Sequence, residues 1–207
     1  MRFSVILSFL LVSSLEGLAQ NAYVKLGYQA MMNKDFKSAV RQLERACEVD
    51  SNSTHALWML GYSYYHSENY KKSVSAYSRV IVLNPTDESA YYFRSKAQSN
   101  MAKDVQLNTY EKEKYLLNAI KDLTRALVIK PGEDRFYQNR GIAYRDYAAF
   151  KLDAGSRSAY DKNRGVSALK AAIADFEKVL NGNPGRTDIS TLLDVAKEKM
   201  ATVLGHH

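Results

Sequence analysis

Small side chains recur at fixed places inside runs of helical spacing, and no other feature of this sequence restricts the fold as much. Gly27, Gly61, Ser95 and Gly141 each sit in the middle of such a run. A glycine there costs about 1 kcal/mol against alanine. A cost repeated at equivalent places implies a repeated benefit, and close approach of two helix backbones supplies one. Ala39, Ala119 and Ala172 offer a matching small contact on the helical run that follows. The three prolines, Pro85, Pro131 and Pro184, each fall shortly after a helical run. Proline lacks the amide donor and clashes inside a helix, so it belongs at such an end. The pattern predicts an all-α chain of repeated helical hairpins, each burying its apolar faces only against its neighbours.

The second unit is the clearest. It reads Leu57-x2-Leu60-Gly61-x2-Tyr64, then Tyr70, Ser73, Tyr77, Val80 and Pro85. This resembles the tetratricopeptide (TPR) repeat, whose unit of about 34 residues carries W-x2-L-G-x2-Y, then A-x3-F, then P. The departures are leucine for tryptophan, serine for alanine and tyrosine for phenylalanine. In the same frame the first unit has Tyr23, Leu26, Gly27, Ala30, Phe36, Ala39, Leu43 and Ala46, with Ser51 in place of the closing proline. The third opens with Tyr91, Arg94 and Ser95 and closes with Ala119, Leu123, Ala126 and Pro131. The fourth opens with Tyr137, Arg140, Gly141 and Tyr144 and closes with Ala172, Phe176, Val179 and Pro184. Inserts at Asn100 to Glu113 and Lys151 to Gly165 separate the halves of the last two and read as lengthened hairpins, with Gly155-Ser156-Arg157-Ser158 as one tip.

The resemblance implies an all-α, right-handed α-solenoid of about four TPR hairpins plus a C-terminal capping helix. The array runs over 20–186, with repeats at 20–53, 54–87, 88–133 and 134–186. The cap covers 187–204 and a tail 205–207. Thr187-Asp188 offers the cap an N-terminal start, and Ile189, Leu192, Leu193, Ala196, Met200 and Val203 form its apolar stripe.

The first residues differ from the rest. Arg2 precedes an apolar run from Phe3 to Val12, and Gly17-Leu18-Ala19 places small residues where a signal peptidase reads. Residues 1–19 are expected to be a secretory signal cleaved before Gln20, giving an exported periplasmic or extracellular chain. The run is too short to span a bilayer, and no cysteine follows it to carry a lipid.

Composition narrows the function classes. At 46% hydrophobic and 25% charged the chain is too apolar for disorder and too charged for a membrane protein. Its net charge of +7 favours acidic partners but is spread along the chain, without the dense basic block of a nucleic-acid arm. Cys47 is alone and reads as a small buried residue on a helix. The sequence holds no glycine-rich phosphate loop, G-x-S-x-G, H-E-x-x-H or C-x-x-C. His55 and His66 would lie about 16 Å apart along one helix, too far to share a metal. His206 and His207 read as a frayed tail or the remnant of a tag. No catalytic residue, cofactor or metal is expected.

In TPR proteins the first helix of each hairpin lines a concave face. Carried over in frame, the resemblance implies a groove of Val24, Tyr28, Met31 and Met32 from repeat one. Repeat two adds His55, Trp58, Tyr62, Tyr65 and His66; repeat three adds Tyr92, Lys96, Ser99 and Asn100. Repeat four adds Arg135, Gln138, Ile142, Arg145 and Asp146. Trp58, one place past the usual tryptophan, turns toward that groove, whereas Tyr64, Tyr77 and Tyr144 belong to the core. The positions that clamp a chaperone's terminal carboxylate in one TPR subtype hold Val24, Tyr28, Met59, Ser89 and Phe93 here, so that clamp is not expected. The expected partner is a protein or peptide held in an aromatic groove. The other reading is a structural role, as a component of an envelope assembly or a self-associating protein that uses the lengthened hairpins.

Overall fold

The computed structural model describes residues 20–152 and 158–205. The expected leader, the Gly155-Ser156-Arg157 part of the hairpin tip and the terminal histidine pair lie outside them. The described residues form nine helices and no strand. The chain divides into two compact units, Met1–Thr86 and Asp87–His207.

Unit 1 holds α1 (residues 20–32), α2 (Phe36–Val49), α3 (Thr54–His66) and α4 (Tyr70–Leu83). Unit 2 holds α5 (Glu88–Met101), α6 (Thr109–Ile129), α7 (Asp134–Leu152), α8 (Ala159–Gly182) and α9 (Thr187–Leu204). Capping explains where most helices start. The side chains of Asp35, Ser53, Asn69, Asp87, Asn108 and Ser158 each accept a backbone N–H three residues on, which satisfies one donor that the first turn leaves open. At α6 the box is complete, because Glu111 also accepts from the Asn108 backbone N–H.

The ends follow from proline. Asn84, Lys130 and Asn183 each precede a proline, and a residue in that place is pushed out of the helical region. All three leave the helical region, with φ −135°, −134° and −146°. Asp50 does the same at φ −133° without a following proline, its carboxylate accepting from the Asn52 N–H at 2.9 Å. Each joint between hairpins, and between the last hairpin and α9, is four residues long: 50–53, 84–87, 130–133 and 183–186. The number of residues between the two helices of a hairpin differs: 33–35 and 67–69 in unit 1, against 102–108 and 153–158 in unit 2. In unit 1 both turns place a non-glycine residue in the left-handed region, Lys34 at φ 59° and Glu68 at φ 61°.

The small residues mark close approach, with one correction to the expected pairing. The glycines face the large residue of the second helix, not its alanine. A Cβ added at Gly27 would lie 2.6 Å from Leu43; at Gly61, 2.9 Å from Tyr77; at Gly141, 2.6 Å from Phe176. Those three large side chains are fully buried. At the small position of the second helix in repeat two, Ser73 uses its hydroxyl to donate to the Gly61 carbonyl at 2.9 Å.

The two inserts lengthen their hairpins, as expected, but in different ways. α5 keeps an ordinary 14 residues, so the third repeat grows only through its turn and α6, at 21 residues. In the fourth both helices grow, to 19 and 24 residues. The grown part stays packed: Gly165 lies against Leu152, where an added Cβ would sit 2.5 Å from it. Helix α9 packs on α8 and α7 and buries Ile189, Leu193 and Ala196. Its N-cap is Arg186, without a side-chain cap bond, and Asp188 instead takes a bidentate ion pair from Arg186 at 2.7 and 2.8 Å. Tyr64 and Tyr77 are in the core, whereas Tyr144 is only half-buried at the edge of the unit 2 core.

Candidate functional site

In unit 1 the residues expected to line a groove fall into two groups. Along α3, Trp58, Tyr62 and His66 recur every four residues, so their rings lie one above another. Trp58 stacks on Tyr62 with centroids 5.6 Å apart, and Tyr62 meets His66 at 4.3 Å. Phe36, from the start of α2, stacks on His66 at 4.6 Å, and Tyr65 meets His66 edge-on at 5.2 Å. Trp58 also packs edge-on to the buried Tyr77, so it, Tyr62 and Tyr65 are half-buried; His55 and His66 are exposed. On α1, Tyr28 and Met32 are 51% and 66% exposed on one face, whereas Met31 packs against the core. Cys47 is half-buried, and burial pushes its thiol up to about 11, which keeps it protonated and unreactive at neutral pH.

In unit 2 several expected groove residues are engaged locally. Tyr92 is 9% exposed and packs on Phe136 at 5.3 Å, so it contributes to the core and not to an open wall. Arg135 and Lys96 lie over its ring at 5.4 and 5.6 Å, and Arg135 also pairs with Glu133 at 3.1 Å. Gln138 accepts from Arg186 at 2.8 Å, which ties α7 to the start of α9. Arg145 donates to Asp146 at 2.8 Å.

Arg145 and Asp146 lie on the wall of a cavity of about 780 Å³ within unit 2. The cavity is bounded by the end of α5, the start of α6, α7 and the cap α9. Its lining has two kinds of surface. Leu116, Ala149, Phe150 and Leu152 supply an apolar floor, while Lys103, Lys112, Arg145 and Lys199 bring cationic groups from different elements. Asp146 is the one acid in the lining. Sequence reading includes Arg145 and misses the lysines, because two lie in inserts outside the repeat frame and the third on the polar face of the cap. A second hollow, of about 500 Å³, lies among α6, α7 and α8 and carries the exposed Leu117 and Tyr160.

Two charged devices hold unit 2 together, and the sequence pattern predicts neither. Arg94 and Arg140 occupy the place before the small residue, and each makes a bidentate pair with an aspartate before the large one. Arg94 meets Asp122 at 2.7 and 2.8 Å; Arg140 meets Asp175 at 2.8 Å through both nitrogens. The aspartate side chains are only 5% and 6% exposed. The hydrogen-bonded carboxylate raises the Arg140 guanidinium above its ordinary value, against the effect of burial. The second device sits at the edges of the inserts. Glu113 of α6 accepts from Lys151 and Tyr147 of α7 at 2.8 and 3.1 Å and pairs with Arg164 of α8 at 2.9 Å. Lys151 also reaches Asp161 of α8 at 3.0 Å. Burial pushes Glu113 up, but its bonds from Lys151 and Tyr147 and the nearby Arg164 outweigh that and hold the carboxyl below its ordinary value. Lys151 is raised for the matching reason, its two carboxylates overcoming burial.

Among the described residues no group of three or more His, Cys, Asp or Glu is placed to hold a metal, and no helix is long and apolar enough to cross a membrane.

Residues 54–87 match the tetratricopeptide repeat family. No curated protein sequence matches the chain. Among solved structures it is similar to MamA from Desulfovibrio magneticus RS-1, at 17% identity over 91% of this chain and 90% of that one, with a TM-score of 0.67. It is also similar to TTC0263, a thermophilic TPR protein of Thermus thermophilus, at 18% identity over 86% and 98% with a TM-score of 0.54. A third is the second TPR domain of human RPAP3, determined in complex with an HSP70 peptide, at 14% identity over 62% and 97% with a TM-score of 0.54. At such identities the likeness shows the fold. Residues 54–87 thus carry a tetratricopeptide repeat, and the chain as described shares the fold of these tetratricopeptide-repeat structures.

Proposed function

We propose that the chain is an exported, non-catalytic scaffold that holds a segment of a partner polypeptide. The observation that carries this is the unit 2 cavity, lined by α5, α6, α7 and α9 and large enough, at about 780 Å³, to take several side chains. The exposed Tyr28 and Met32 and the half-buried Trp58, Tyr62 and Tyr65 give unit 1 an aromatic contact surface of the kind enriched in binding hot spots. The RPAP3 domain, of similar fold, was determined with a peptide bound. Export rests on residues 1–19, and the mass of the chain recovered from its native cells should correspond to a start at Gln20.

A photo-crosslinking residue placed at Ser99, on the cavity wall, tests the binding reading in the native organism. It should capture a discrete polypeptide that the same residue at the exposed Lys178 on α8 does not. Equal labelling from both places would remove the cavity from the account. A second reading is supported by Leu117, Tyr160 and Tyr110, exposed at 38%, 68% and 75% on the lengthened helices, which fit self-association. Light scattering over a range of concentrations should then show an oligomer that Leu117→Ser with Tyr160→Ser abolishes.

A further inference from the structure

Within the proposed polypeptide-binding role, on which this inference rests, we infer that the unit 2 cavity selects an acidic segment carrying an apolar side chain between its carboxylates. Four cationic side chains converge on the cavity from the α5–α6 turn, α6, α7 and α9. Arg145 is the one that pairs with the lining acid, Asp146. Lys103 donates to the neutral Asn100 amide at 2.9 Å, and Lys112 lies 5.8 Å from the Phe150 ring. Among the described residues no carboxylate pairs with Lys103, Lys112 or Lys199. The half-buried or buried Arg94, Arg140, Lys151 and Arg164 of unit 2 have carboxylate partners, whereas Lys112, half-buried like them, lies by the Phe150 ring, and Lys103 and Lys199 are exposed.

The lysines therefore leave a net positive rim around an apolar floor of Leu116, Phe150 and Leu152. A ligand that fits both surfaces carries negative charge at the edge and a hydrocarbon group in the middle. Carboxylates of a peptide supply the charge, and a Leu- or Phe-like side chain between them fills the floor. A nucleic-acid backbone has no group for that floor, and it calls for cations spread along a track, not around one concavity. The chain's overall +7 adds a long-range attraction for the same class of partner.

The test is selection from a displayed random peptide library on the mature full-length chain, beside its Lys112→Glu/Lys199→Glu variant and a Lys37→Glu/Lys178→Glu control. Thermal melts confirm that all three fold. The parent and the control should enrich peptides with two or more Asp or Glu flanking an apolar residue. The Lys112→Glu/Lys199→Glu variant should bind the enriched peptides at least about tenfold more weakly. Acidic enrichment that survives that variant places the peptide elsewhere and overturns the inference. Enrichment of neutral or basic peptides overturns it too, while leaving a polypeptide-binding scaffold. Co-sedimentation with phosphatidylglycerol vesicles, lost in the double variant and with no acidic enrichment, would assign the lysines to a membrane surface. Absence of enrichment together with absence of a crosslink from Ser99 would remove both readings.

Discussion

The two units solve the same packing problem with different chemistry. Where the first helix approaches the second, the second repeat of unit 1 places the buried Leu60 before Gly61, opposite the buried Ala76 in the repeat frame, while Leu26 before Gly27 stays 48% exposed. Unit 2 places Arg94 and Arg140 there, opposite Asp122 and Asp175, and both pairs are bidentate. The apolar solution needs only volume. The ionic one needs both partners at once, since a buried charge left alone is far more costly than either pair. Arg140 also donates to Thr124 of the preceding hairpin at 3.4 Å, so its position bears on two repeats. The contrast shows that a repeat fold fixes where side chains meet while leaving open whether they meet as hydrocarbon or as charge.

Removing one partner should give the largest effect. Asp175→Ala leaves the Arg140 guanidinium buried without its carboxylate and should cost about 3–5 kcal/mol in denaturant unfolding. Adding Arg140→Leu gives unit 2 the Leu60/Ala76 pair of unit 1 and should recover most of that loss. A double variant as unstable as Asp175→Ala alone would break the equivalence of the two solutions.

Next come the glycines, which both units use in the same way. Gly61→Ala and Gly141→Ala each force a methyl group into a buried ring, Tyr77 or Phe176, and should each cost about 1–3 kcal/mol. If Gly61→Ala alone is tolerated, the unit 1 hairpin is the looser one.

Acid should separate the units further. Glu113 sits below its ordinary value of 4.5 in the folded chain, so its contribution is present above that pH and is lost as pH falls through the lower folded value. Melting temperature should therefore drop more steeply below pH 4.5 in the parent than in Glu113→Gln, which is already less stable at neutral pH. Parallel acid limbs for the two chains would show that the Glu113 cluster adds nothing to folding.

The smallest effect lies in unit 1. Glu68 holds a left-handed backbone that costs a side-chain-bearing residue energy, and Glu68→Gly should stabilise by roughly 0.5 kcal/mol after the entropy of glycine is set against it. A loss of stability would mean that the Glu68 side chain contributes more than its backbone costs.

Much of this is legible in the sequence. The register of Gly27, Gly61, Ser95 and Gly141 locates every hairpin, and the prolines locate the ends of α4, α6 and α8, because both act through backbone sterics that depend on local residue type. What the glycines face is not legible, since register places a residue on a helix face but does not say which of two neighbours, four residues apart, fills the space beside it. Asp122 and Asp175 stand in plain frame with Arg94 and Arg140, yet a charge on a helix normally reads as facing solvent. The candidate site is the least legible part. The resemblance assigns Tyr92 and Gln138 to an open wall because it places residues on a face, but neighbours such as Phe136 and Arg186 decide what remains accessible. Lys103 and Lys112 lie in inserts that have no frame, and only the folded unit brings them beside Lys199.

The constant four-residue joints have a consequence for how such a chain can change length. Because 50–53, 84–87, 130–133 and 183–186 all leave the same gap, the added sequence has gone to the inner end of each hairpin, into the bend and second limb of the third repeat and into both limbs of the fourth. New residues are accommodated at the open end of a clasp while its hinge to the next clasp is left alone. A foreign loop grafted between Met101 and Thr109 should therefore be carried without harm, whereas the same graft inside 130–133 should uncouple the hairpins on either side.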